Sequence, residues 1–124
     1  MLLARLSDEE KEWFSSLVVN LIKPSYLKRY NLEMGIDVLK DPLDYETALD
    51  KLSEIEDMAV KKAVLLELAC ISVSESENHL ENSKKSMLIR AANTFKIDNV
   101  EEFIAAAKEL VPAQRKAFIL LGIW

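Results

Sequence analysis

The sequence predicts an all-α fold, a compact single-domain helical bundle covering residues 1–124. Two observations carry that expectation. Apolar residues recur three and four apart along most of the chain, while alternating apolar/polar runs of the strand kind are absent. Only two glycines and three prolines occur in 124 residues, too few to furnish a set of hairpin turns. A hydrophobic content of 50% with 30% charged residues fits a packed core inside a solvated surface and argues against disorder.

The elements follow in order. Ser7 with Glu10 forms a capping box, and Asp8 and Glu9 complement the dipole of the first turn. The helix it opens runs to about Lys23, where Pro24 disfavours helical geometry, and carries a stripe through Trp13, Phe14, Leu17, Val18, Leu21 and Ile22. A second helix is expected over Tyr26–Leu39, with Gly35 inside it at a close approach to a neighbour. Asp41-Pro42 is a stop and restart, and Asp41 or Asp44 caps a short helix ending near Ile55.

The stretch Met58–Val73 is the longest apolar run and the expected centre of the fold. At about 1.5 Å per residue it makes a helix of about 24 Å, apolar nearly all round and therefore enclosed on most sides. It falls short of the roughly 20 apolar residues that a membrane span needs. Residues Ser74–Ser83, SESENHLENS, form a polar joint, after which Lys84–Phe95 resumes a helical stripe. Asp98 with Glu101 is a second capping box, opening a helix through Phe103, Ile104, Ala107 and Leu110, and Pro112 opens a last helix ending in FILLGIW.

Two segments match in pattern. Ala59-Val-Lys-Lys-Ala-Val-Leu-Leu66 and Ala113-Gln-Arg-Lys-Ala-Phe-Ile-Leu120 share alanine, any residue, two cations, alanine and three apolar residues, 54 positions apart (113 − 59). The same offset pairs Asp44 with Asp98 and Leu49 with Phe103, as an internal helical pseudo-repeat would.

Charge and cysteine content exclude several functions. A formal charge of −5 with no basic stripe opposes nucleic-acid binding. The single cysteine, Cys70, lies mid-helix, can form no internal disulfide and suits a reducing, cytoplasmic setting as a buried structural thiol. The start, MLLARLSDEE, has neither the long apolar region nor the cleavage site of a secretory signal. No nucleophile–base pair, phosphate loop or cofactor motif is readable, so no enzyme and no cofactor is expected. His79, the only histidine, reads as an exposed loop residue, and Lys61-Lys62 and Arg115-Lys116 as solvated or ion-paired cations.

The layout resembles the tellurite-resistance TerB-like family over roughly Leu6–Glu109, most closely over Lys61–Ile97. There an LLEL-type helix leads through a polar joint to MLIRAANTFKID, where the family has a helix ending in a short apolar-Gly-apolar turn. The resemblance implies an all-helical scaffold with acidic loops that hold a divalent metal. The family's Ala-Asp-Gly triplet is replaced by Ser74-Glu75-Ser76 in one loop and by Lys23-Pro24-Ser25 in the other, and its later glutamate falls on Lys84. These departures imply a relative that kept the helices and lost at least one metal cluster.

Two candidate sites remain. Glu75, Glu77 and Glu81 in the acidic joint could hold a divalent cation, with Glu77 and Glu81 on one face if the joint is helical. A solvated joint is the simpler expectation, because three mobile glutamates offer few of the six to eight oxygens that calcium takes. Phe118, Leu121 and Trp124 form an apolar C-terminal surface that must pack on the core, on residues such as Leu17 and Leu65, or dock on a protein partner or a second copy. The function expected is therefore a non-catalytic cytosolic interaction or stress-associated module, with divalent-metal binding as the alternative.

Overall fold

A computed structural model of the chain describes residues 5–21, 42–75 and 80–122, leaving the side chain of Glu75 aside. Among the described residues the fold is all-α, five helices with no strand: α1 (Asp8–Leu21), α2 (Tyr45–Ser53), α3 (Met58–Glu75), α4 (Asn82–Thr94) and α5 (Val100–Leu121). The helix expected over Tyr26–Leu39 lies outside the described residues.

α1 starts where its capping box places it. The Ser7 backbone N–H donates to Glu10 Oε1 at 2.8 Å, and the Glu10 N–H donates to Ser7 Oγ at 3.1 Å. One face carries Phe14, Leu17, Val18 and Leu21 into the core. Buried Ser16 donates to the Glu12 carbonyl at 3.1 Å and accepts the Leu43 N–H at 3.0 Å. Asn20 donates to the carbonyls of Ser16 and Leu43, at 2.7 and 3.3 Å, so the segment entering α2 is held along α1. Of the two cap candidates for α2, Asp44 acts: its carboxylate accepts the Thr47 N–H at 3.2 Å. Tyr45 then donates its hydroxyl to the Met87 carbonyl at 2.8 Å, and Arg90 Nη1 pairs with Glu46 Oε1 at 2.6 Å, fastening α2 to α4.

α3 is the central helix. It contacts α1, α4 and α5, and its pairing with α5 is the broadest in the fold. Val64, Leu65, Leu68, Ala69 and Val73 are all buried, whereas Leu66 packs against the core only in part. The helix continues two residues past Val73 into the expected joint, to Glu75. Across the joint, α4 ends at a turn in which buried Phe95 and Ile97 flank Lys96, whose φ of 60° is left-handed. The Ile97 N–H reaches back to the Ala92 carbonyl at 2.8 Å and the Lys96 N–H to the Asn93 carbonyl at 3.1 Å. The backbone thus makes the turn that usually employs glycine, with a lysine in its place.

Two expectations about the C-terminal third are corrected. Asp98 and Glu101 form no capping box: Asn99 is the N-cap residue, and its side-chain amide donates to Glu102 Oε2 at 3.0 Å. Glu101 instead pairs with Lys85 at 3.0 Å, tying α5 to α4. Pro112 opens no new helix, because α5 runs unbroken through it to Leu121. Proline has no N–H to give the carbonyl four residues back. Pro112 lies on the exposed side, where water can serve that carbonyl, while the core-facing stripe Ile104, Ala107, Val111 carries the helix across. The 54-residue pattern is thereby housed in two ways. The first copy bends at Ile55–Asp57 between α2 and α3, and its counterpart 109–111 is helical.

Candidate functional site

The end of α5 is the part of the described surface that the fold leaves unfinished. Its core stripe stops at Val111, the last residue of the helix that is buried. Beyond it Arg115 and Phe118 are half-buried, and Ile119, Leu120 and Leu121 stand 60%, 83% and 69% exposed, joined by Leu110 at 42%. Three consecutive residues turn through about 300° minus one step, roughly 200°, of a helix with 3.6 residues per turn. No single packing face could cover them all. The helix closes at Gly122, whose φ of 74° lets its N–H reach the Ile119 carbonyl at 3.1 Å.

Of the interaction residues expected from sequence, Leu121 is exposed, Phe118 is half-buried, and Trp124 lies outside the described residues. Of the two covers expected for Phe118, Leu121 and Trp124, the domain's own core or a partner, the core leaves Leu121 exposed. Leu17 and Leu65 are fully enclosed by the core that ends at Val111. Leu110, expected on the apolar stripe of its helix, is exposed instead, and Ile119 and Leu120 were not singled out within FILLGIW. The signal for them was the length of the run FILL, longer than one helix face can use.

This end is also cationic. Residues 112–121 contain Arg115 and Lys116 and no acid, a charge of +2, so the remaining residues sum to −7 (−5 − 2). Exposed acids include Glu54, Glu56 and Asp57 between α2 and α3, and Glu101, Glu102 and Glu109 along α5.

Only the edges of the acidic joint belong to the described residues. Glu81 is exposed, sits in extended backbone (φ −68°, ψ 149°) and is the N-cap position of α4. Glu75 is the last residue of α3, and Glu77 and His79 lie outside the described residues. Lys84, where the resemblance expects a glutamate, is buried on α4. Among the described residues no three of the His, Cys, Asp and Glu side chains come together as a metal cluster.

Cys70 is buried, and desolvation, with a smaller contribution from the Glu67 carboxylate, pushes its thiol up to about 12. A thiol so placed stays protonated and unreactive at neutral pH. Lys61 donates to the Ser53 carbonyl at 3.3 Å and helps close the α2–α3 bend, while Lys62 is exposed. Among the described residues no helix is long and apolar enough to cross a membrane. Compared with known families, curated proteins and solved structures, the chain matches none.

Proposed function

We propose that this chain is a non-catalytic helical interaction module of the cytoplasm, a stress-associated relative of the TerB-like proteins, whose docking element is the C-terminal half of α5. The observation that carries the reading is the exposure of Ile119, Leu120 and Leu121 on a capped, regular helix. Large aliphatic side chains held in water by ordered backbone forgo stabilisation of about 1.5–3 kcal/mol each. Contiguous patches of this kind mark binding surfaces. The buried, protonated thiol of Cys70 supports a structural over a nucleophilic role. Support for the family relationship comes from the 95–97 turn. Lys96 adopts the left-handed conformation that the family's apolar-Gly-apolar turn calls for, between two buried apolar residues.

The test compares the wild-type chain with a Leu120→Asp/Leu121→Asp variant, each recovered from its native host under matched conditions. Proteins bound to each are then quantified, with copies of the chain itself included. The variant is expected to lose what the wild type retains, at unchanged helicity. Identical bound sets would refute the reading.

A further inference from the structure

The solvent side of α5 carries a second pattern, separate from its core stripe. Phe103, Ala106, Leu110, Ala113, Ala117 and Leu120 are spaced by 3, 4, 3, 4 and 3 residues, the a/d repeat of a coiled-coil seam. All six are apolar; Phe103 is half-buried against the domain's own core at one end of the seam, and the other five are exposed. The core-facing residues Ile104, Ala107 and Val111 occupy other heptad positions, so the seam and the core stripe are different sides of one helix. From Phe103 to Leu120 the seam extends about 26 Å at 1.5 Å per residue. It exists because α5 passes unbroken through Pro112.

We infer that this seam pairs with the same seam of a second copy, antiparallel about a two-fold axis between Val111 and Pro112. The proposal rests on the reading of α5 as a docking element and names its partner. Side-chain size argues for the antiparallel register. It sets Leu110 against the partner's Ala113, Ala106 against the partner's Ala117 and Phe103 against the partner's Leu120. Each leucine next to the axis therefore meets an alanine, and the paired alanines let the backbones approach. A parallel, in-register pair would instead stack like on like, alanine on alanine and phenylalanine on phenylalanine.

Charge argues the same way. The residues flanking the seam on one edge are Glu109 and Lys116, both exposed. In the antiparallel register Glu109 faces the partner's Lys116, and the two-fold axis repeats the pair, giving two complementary ion pairs beside the central layers. In a parallel pair Glu109 would face Gln114, and Lys116 would face Leu121, with no complementarity. The cationic end of one otherwise acidic chain thus finds acid on another copy of itself.

Charge exchange at these two positions tests the geometry. Self-association of the full chain is measured by sedimentation equilibrium up to several hundred micromolar, beside Glu109→Lys, Lys116→Glu and the double variant. Both positions are exposed, and circular dichroism checks that each variant keeps its helicity. Each single variant converts two attractions into two repulsions and is expected to weaken the dimer about tenfold, the order expected of exposed pairs. The double variant restores it. Mixing the two single variants gives a heterodimer tighter than either homodimer, because both of its pairs are then complementary. A dimer indifferent to these exchanges, or a wild-type chain monomeric throughout, overturns the inference. So does a monomer that co-sediments with phosphatidylserine vesicles, which would give the seam to lipid. A monomeric wild type whose Leu120→Asp/Leu121→Asp variant still loses a bound host protein would sink the self-pairing alone and leave the docking role standing.

Discussion

Replacing Lys96 by glycine should make this domain more stable, although it removes a side chain. Lys96 has a φ of 60°, where a Cβ crowds the following carbonyl at a cost of about 1–2 kcal/mol. Glycine is relieved of that cost but gains freedom in the unfolded chain, a loss of about 0.4–1 kcal/mol. The difference leaves a net gain of about 0.5–1 kcal/mol. The lysine side chain is exposed and makes no ion pair among the described residues, so nothing else is given up. The backbone bonds from Lys96 and Ile97 to Asn93 and Ala92 stay in place. With a urea slope of about 1–3 kcal/mol per molar, the unfolding midpoint should rise by about 0.2–1 M. Lys96→Ala is the control, because it keeps the Cβ and removes only the charge. A rise of equal size in both variants would trace the cost to the charge and refute the backbone argument, and a fall in Lys96→Gly would refute the geometry of the turn.

Other substitutions probe the core, the thiol and the joint. Leu68→Ala, at a fully enclosed position of α3, should cost about 2–5 kcal/mol in chemical denaturation, and Leu66→Ala at its half-buried neighbour clearly less. Cys70 titrates near 9.0 when unfolded and about 12 when folded, so the folded state holds the proton longer. Its contribution is fully present below pH 9 and is lost as pH rises toward 12, with a slope approaching about 1.4 kcal/mol per pH unit. Burial raises the Tyr45 hydroxyl too, adding a loss of the same sign that grows as pH nears its ordinary value of 10, so the Cys70 effect dominates nearer pH 9. Cys70→Ala should flatten the stability curve there, and an unchanged slope would show that another group carries it. Calorimetric titration with Ca²⁺ or Mg²⁺ should show no binding tighter than about millimolar. A micromolar isotherm abolished by Glu75→Gln would restore the acidic joint as a metal site.

Much of the fold was legible because its signals are local or redundant. The Ser7–Glu10 box needs only residues three apart, and it forms as expected. α3 announces itself by being apolar nearly all round, a pattern that small errors of phase cannot disguise. The start of α5 failed for want of such redundancy. Asp98 with Glu101 and Asn99 with Glu102 both have the spacing of a cap, and in the fold Asn99 takes the N-cap position while Glu101 pairs with Lys85. Pro112 failed for a related reason. A proline stops a helix by a local rule, yet packing through Ile104, Ala107 and Val111 overrides that rule where the proline faces outward.

That single difference reaches the candidate site. A break at Pro112 would put Phe103–Leu110 and Ala113–Leu120 on separate helices, with no common axis and therefore no seam. FILLGIW would then end a separate helix with its own core face, as the counterparts Val64 and Leu65 have in α3. In the continuous helix Ile119, Leu120 and Leu121 lie past Val111, its last buried residue, and stand exposed to solvent. The alanines that read as helix formers become the small partners in a large-against-small interdigitation. Glu109 and Lys116, which no local pattern connects, become the two ends of one charge pair across the axis. The surface that best explains the chain is thus a property of α5 as a whole, and it could be seen only once Pro112 was known to lie within it.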